Sequence, residues 1–364
     1  EPPSRLASTN GAQAVKAVIN KNAVKKRFII CRFLSRACIF PEKAPVFNKE
    51  IIFFRFAKLW LILDLCFAYA LSIAEFNAKD SSMIAQKRLL TRCDFDGLVC
   101  AALLKELNLI DEIRFVHPKD MQDGRISISN GDITANLPYV EGVYIAFDHH
   151  ISENTRVISP PNYIVYPNSP SAARVVYEYY GAEERFKDIP DELMKAVDNA
   201  DSARYTVDQI KNPTDWTLLA FITDPRTGLG RFKNFRIGTY DFMLKLTDLC
   251  RKHPINEILN DPDVKERVDL YYEHQDKFID QLKRCTTIHK NVAHINYRDQ
   301  DVIYAGNRFM VYALFPQINI SVHEIWGKNK RNVVFAAGKS IFNRTSKMNI
   351  GEFMLQFHGG GHIA

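Results

Sequence analysis

From Lys87, short apolar runs alternate with stretches of helical period. KRLLTR predicts a strand, DFDG a turn, and LVCAALLKELNL a helix with a buried face. EIRFVHP predicts a second strand and GVYIAF a third, which ends on Asp148, His149 and His150. SPSAARVVYEYY predicts a helix capped by Ser169 or Ser171, with Pro170 near its start, and PDELMKAVDNAD predicts another with Pro190 early. Strands that alternate with helices predict an α/β layer with a mainly parallel sheet. After about Thr214 the period becomes helical. YDFMLKLTDLCRKH and DPDVKERVDLYYEHQDKFIDQLKRC are long amphipathic runs, the second with Val264, Val268, Tyr271 or Tyr272, and Phe278 near helical spacing. That run predicts a connector between domains. From Ile288 strand patterns return in VAHINY, VIYAG, INISVHEIW and NVVFAAG, with GKNKRN as a turn. NIGEFMLQF predicts a helix, followed by HGGGH.

Residues 1–82 do not share this rhythm. They contain no Met, the first being Met83, and they hold nine of the chain's 24 Phe. They are expected to be a non-native or disordered extension, with Met83 as the start of the folded protein. The rival reading is a membrane anchor over Leu59–Ala74, but Asp64 interrupts it, and Arg55 and Lys58 keep the apolar run below the ~20 residues that span a bilayer. No stable membrane association is therefore expected.

Charge separates the same two parts. Residues 1–82 carry 13 Lys and Arg against 6 Asp and Glu, and the remainder carries 35 against 36. The overall +6 is thus no sign of a polyanion-binding surface, and any phosphate site must be local. Seven Cys are scattered without a CxxC pair. Free thiols in a reducing, cytoplasmic setting are expected, rather than a disulfide framework or zinc knuckle.

The candidate chemistry gathers at predicted strand ends. Asp94 and Asp96 occupy the first strand-to-helix turn, and Asp132 lies just before GVYIAF. Asp148, His149 and His150 end that strand, while Asp198 and Asp201 close the helix in AVDNADSARY. Singly, each has an ordinary reading: a turn, a loop acid, a strand-end pair, a solvated helix end. Together they suit an oxygen-preferring ion, because ligands of open α/β sheets bind beyond the carboxyl ends of the strands. Carboxylates with one or two imidazoles match Mn²⁺ or Mg²⁺ better than zinc. Two ions about 3.5–4 Å apart would clamp a phosphate and activate water. Near the other end, the Gly359, Gly360, Gly361, His362 loop can approach an anion through its backbone N–H groups. Arg344 and Ser346, in NRTSK, add a guanidinium fork and a hydroxyl suited to phosphate.

DFDG, DHH and NRTSK…GGGH, in that order, resemble the DHH phosphoesterase superfamily, and more narrowly its bacterial exopolyphosphatase-related and oligoribonuclease-like members. The resemblance covers Met83 to Ala364. It implies a DHH catalytic domain over 83–240, a helical connector over 241–286, and a DHH-associated substrate-binding domain over 287–364 that is C-terminally incomplete. By resemblance, Asp94, Asp96, Asp132, His149 and Asp201 match metal positions. Asp148 and His150 complete the signature and are expected, with Arg344, to take part in catalysis. The glycine loop and Arg344 match the substrate side. Asp201 is preferred to Asp198 because DSARY fits the family's Asp-small-small-aromatic pattern. One departure is LLTRC before Asp94, where many relatives carry an extra His or Asp ligand. The expected function is hydrolysis of short oligonucleotides or nucleotide phosphates by two-metal water activation, with homodimerisation a further expectation. The alternatives are an exopolyphosphatase, or a nucleotide- or RNA-binding relative without catalysis.

Overall fold

The computed structural model describes residues 87–150, 160–166 and 168–357. The extension over 1–82, its apolar run and the glycine loop with His362 lie outside the described residues. Among the described residues, no helix is long and apolar enough to cross a membrane, and Cys93, Cys100, Cys250 and Cys285 are free thiols.

The first half is an α/β layer. β1 (Arg88–Thr91) leads into α1 (Phe95–Glu106), and β2 (Glu112–Phe115) into the short α2 (Pro118–Gln122). β3 (Ile133–Ala135), β4 (Ile145–Asp148) and β5 (Tyr163–Val165) follow. The five strands are all parallel, in the order β2-β1-β3-β4-β5. Their carboxyl ends therefore share one edge of the sheet, and that edge collects the residues after Thr91, Ala135 and Asp148.

α1 explains why that edge is rigid. Every residue from Phe95 to Leu104 is buried, because the helix is apolar on all sides and packs between α3 (Ala172–Tyr179) and α7 (Thr239–Lys252). Each fully buried Leu or Val there contributes about 2 kcal/mol. Gly97 is required at its start: a Cβ would lie 2.1 Å from the Arg92 carbonyl oxygen. Between α3 and α7 come α4 (Asp191–Asp201), α5 (Val207–Lys211) and α6 (Asp215–Thr223). Then α8 (Ile255–Asn260) precedes the long α9 (Pro262–Cys285), whose N-terminus has the Asp261 cap and Pro262 in its first turn.

The second, smaller sheet starts where α9 stops. β6 (Thr286–His289) and β7 (Val292–Asn296) form an antiparallel pair, and α10 (Met310–Leu314) follows. β8 (Ile320–Trp326) pairs parallel with β7 and antiparallel with β9 (Val333–Lys339), and α11 (Ile350–Leu355) comes last. The α/β class read from the sequence is thus the observed one, with four strands in the second sheet. VIYAG, expected as a strand, is not one. Its backbone groups are taken by side chains and by another loop: Gln281 Oε1 accepts from Tyr304 N, His274 Nδ1 accepts from Ala305 N, and Gly306 N donates to the Thr227 carbonyl.

Candidate metal centre

Asp96, in the first turn of α1, is 3% exposed. Its two carboxylate oxygens accept the backbone N–H groups of Ala172 (3.0 Å) and Ala173 (2.8 Å), at the start of α3. Ser171 caps that helix by accepting from Arg174 N. Burial first, and then the charges of Asp201 and Asp94, push the Asp96 pKa up to about 7, with His149 opposing.

His149 follows the end of β4. Its Nδ1 lies 3.0 Å from the Ser169 carbonyl, which as an acceptor holds the ring proton on Nδ1 and turns Nε2 inward. Nε2 lies 3.0 Å from Asp201 Oδ2 and 4.0 Å from Asp96 Oδ2. The approach to Asp201 is an ion-pair contact without hydrogen-bond direction, so this buried nitrogen has no satisfied partner. Burial works against a charged His149, yet the Asp201 and Asp96 carboxylates raise its pKa to about 9. Asp201, at the C-terminus of α4, has its pKa lowered: burial opposes the charge, but His149, His150 and Arg92 outweigh it.

One ligand atom from each of Asp96, His149 and Asp201 lies within 4.8 Å of the others. Two carboxylates and one imidazole with an orphaned nitrogen fit a divalent cation that prefers oxygen. Asp94 stands beside them. It caps α1 by accepting from Gly97 N (3.0 Å), pairs with Arg92 Nε (3.1 Å), and accepts from Asn136 Nδ2 (3.2 Å).

Asp148 does something different. It is fully buried, and its Oδ1 accepts the N–H groups of His149 (2.8 Å) and His150 (3.2 Å) and lies 2.6 Å from His150 Nδ1. Tyr163 OH donates to its other oxygen at 3.1 Å. Asp148 therefore shapes the turn and orients His150 rather than joining the cluster.

One residue expected among the metal ligands is elsewhere. Asp132 precedes β3, at the amino edge of a parallel sheet, opposite the cluster. Arg88 grips it through Nε (3.0 Å) and Nη2 (2.7 Å), and Ser129 N donates to it at 2.7 Å. The residue that β3 delivers to the carboxyl edge is Asn136. It is buried, has φ of 56°, and keeps Oδ1 without a partner. An Asn at a strand end tolerates that left-handed backbone, which is the one signal the sequence offered. On the expected substrate side, Arg344 Nε donates to the Ile341 carbonyl (3.0 Å) and Ser346 Oγ accepts from Met348 N (3.3 Å), both in the segment before α11. The open choice at the end of α4 falls to Asp201. Asp198 is engaged by Arg174 (2.6 Å) and Ser171 (2.8 Å).

A scan against family models and a search of curated proteins give no match. Solved structures do. The chain is 52% identical to the pGpG-specific phosphodiesterase PggH from Vibrio cholerae, covering 77% of this chain and 91% of that one, with a TM-score of 0.68. The chain belongs to the DHH phosphoesterase superfamily. As a DHH phosphoesterase it is a hydrolase of phosphodiester bonds. A more distant similarity is to Thermus thermophilus RecJ, solved with Mn²⁺, at 13% identity over 76% of this chain and 48% of that one, with a TM-score of 0.40. An uncharacterized Helicobacter pylori protein matches at 14% identity over 76% and 91% of the two chains, with a TM-score of 0.30.

Proposed function

We propose that this DHH phosphoesterase hydrolyses short 5′-phosphorylated dinucleotides of the pGpG type to mononucleotides. The observation that carries the reading is the 52% identity over 91% of a pGpG-specific phosphodiesterase. The buried Asp96–His149–Asp201 cluster supports it, because it supplies the donor set that phosphodiester hydrolysis needs.

Asp96, His149 and Asp201 would hold one divalent cation, Mn²⁺ or Mg²⁺, with Asp94 and Asn136 as adjacent donors for a second. Such a cation supplies positive charge to the phosphoryl oxygens and acidifies water. The chain's own residues do the rest. Two backbone N–H groups keep Asp96 from rotating. The Ser169 carbonyl fixes the His149 ring. His150, with Nδ1 held by Asp148, is oriented to pass a proton to the leaving 3′-oxygen as water adds to phosphorus and the P–O bond breaks. Residues 83–240 carry this chemistry, 241–286 connect, and 287–364, with Arg344, Ser346 and the glycine loop, hold the nucleotide.

Steady-state hydrolysis of pGpG, other dinucleotides, 3′-phosphonucleotides and polyphosphate with Mn²⁺ tests the reading. pGpG should be cleaved fastest, and EDTA should stop the reaction. Efficient release of phosphate from polyphosphate with no dinucleotide cleavage would replace this reading with an exopolyphosphatase.

A further inference from the structure

A second charged group sits beside the acid cluster. Asp224, which ends α6, accepts from Arg226 N (2.9 Å) and from Arg226 Nε (2.7 Å). Its other oxygen lies 3.5 Å from Arg308 Nε, a contact that leaves this buried N–H without a directed hydrogen bond. One carboxylate thus serves two guanidiniums. Among the described residues, no acceptor bonds to an Nη group of either arginine. The neighbouring Asn307 is buried too, and its Nδ2 is equally without a partner.

The two arginines come from distant parts of the chain and are brought together on purpose-built supports. Gly306 N donates to the Thr227 carbonyl (3.0 Å), which ties the segment before α10 to the turn that carries Arg226. Arg308 lies 4.2 Å from the centre of the Phe309 ring. Phe309 packs on Tyr205, four residues after Asp201, and Tyr205 packs on Phe221 of α6. The Arg pair is therefore anchored to the segment that follows Asp201 and to α6, which packs on α4. The Arg226 side chain is 51% exposed; partial desolvation opposes its charge, but Asp224, with Asp94 and Asp201 further off, raises its pKa. Burial and then the charge of Arg226 lower Arg308 to about 10. An anion between them relieves that repulsion.

We propose that Arg226 and Arg308, bracketed by Asp224, bind the terminal 5′-phosphate of the dinucleotide and make the enzyme select 5′-phosphorylated substrates. This rests on the dinucleotide reading above. A phosphate monoester carries up to two negative charges and offers three acceptor oxygens, which suits two guanidinium forks that share only one carboxylate. The scissile phosphate belongs at the Asp96–His149–Asp201 cluster. Arg226 feels the charges of Asp94 and Asp201 without an ion pair to either among the described residues, so the two arginines flank the cluster without belonging to it.

The test compares pGpG with GpG, the same dinucleotide lacking the 5′-phosphate. kcat/KM for both is measured with Mn²⁺ for the unaltered protein, Arg226→Gln and Arg308→Gln. Dissociation constants for both are measured in EDTA. Each ratio is taken within one protein sample, so a loss of folded protein cancels. The pGpG:GpG ratio should fall at least about tenfold in each variant, in turnover and in binding. Ratios within twofold of the unaltered protein in both variants overturn the inference, as does undetectable pGpG binding by the unaltered protein. If the unaltered protein binds pGpG selectively through the two arginines but cleaves neither dinucleotide, the catalytic reading falls and this one stands.

Discussion

At the scale of single residues, two aspartates of similar promise in the sequence receive opposite tasks. Asp201 faces His149 Nε2 at 3.0 Å and belongs to the cluster. Asp132 spends both oxygens on Arg88 and the Ser129 amide. Burial opposes its charge, but Arg88 and Ser129 hold its carboxyl below the usual range. Substitution separates them. Asp201→Asn should weaken Mn²⁺ binding at least about tenfold, a loss of the size seen when metal-site partners are removed. Asp132→Asn should leave Mn²⁺ affinity within about twofold and lower folding stability by about 1–3 kcal/mol, because a buried charged partner of Arg88 is lost. Titration calorimetry with Mn²⁺ and urea unfolding report the two effects. Equal losses of Mn²⁺ affinity would return Asp132 to the metal site.

At the scale of elements, the N-terminus of α9 shows how one acid holds several segments. Asp261 Oδ1 accepts from Asp263 N at 3.0 Å, and Lys245 of α7 reaches Asp261 (2.6 Å) and Asp263 (2.7 Å). Burial works against ionisation of Asp261, but Lys245 and the helix-start amides lower its pKa, and the two acids raise that of Lys245. A depressed carboxylate contributes stability above its unfolded pKa of 3.8 and loses it as pH falls through the folded value. Asp261→Ala should therefore cost about 1–2 kcal/mol at pH 7, and the gap to the unaltered protein should narrow as pH falls below 3.8. Chemical unfolding above and below that pH decides it. A gap that persists in acid would mean that packing, not charge, is lost. The same scale shows what the sequence could reveal. The strand-turn-helix from Arg88 to Glu106 was legible because a long apolar run follows a turn rich in Asp and Gly, although the helix already begins at Phe95, inside DFDG. The ends Asp148–His149 and Asp198–Asp201 were legible too. β3 and β5 were not, since three residues carry too little period to register. Missing β3 misplaced the strand end, so the sequence pointed to Asp132, on the amino edge, whereas the carboxyl edge holds Asn136. VIYAG failed in the opposite direction: its apolar pattern is genuine, but Gln281 and His274 of α9 take the backbone groups that a sheet would need.

At the scale of the molecule, charge decides which substrates the cleavage site can favour. From Met83 onward 35 Lys and Arg face 36 Asp and Glu, so no general positive field draws a polyanion. Many basic residues are also already paired, as Lys105 and Arg251 are with Asp248. A chain-processing nuclease needs a long track of phosphate contacts, and each contact to a single strand adds about 0.7 to the slope of log affinity against log salt. A dinucleotide offers only two phosphates and no strand long enough to condense counterions, so its salt dependence should be much shallower than that of a long strand. kcat/KM for pGpG and for a 5′-phosphorylated oligomer of about 20 nucleotides, measured between 50 and 200 mM NaCl, tests this. The dinucleotide should be cleaved faster at every salt concentration, with the shallower dependence. A faster oligomer with a steep slope would require a basic path that the near-neutral charge from Met83 onward does not supply, and would replace the short-substrate reading with that of an exonuclease.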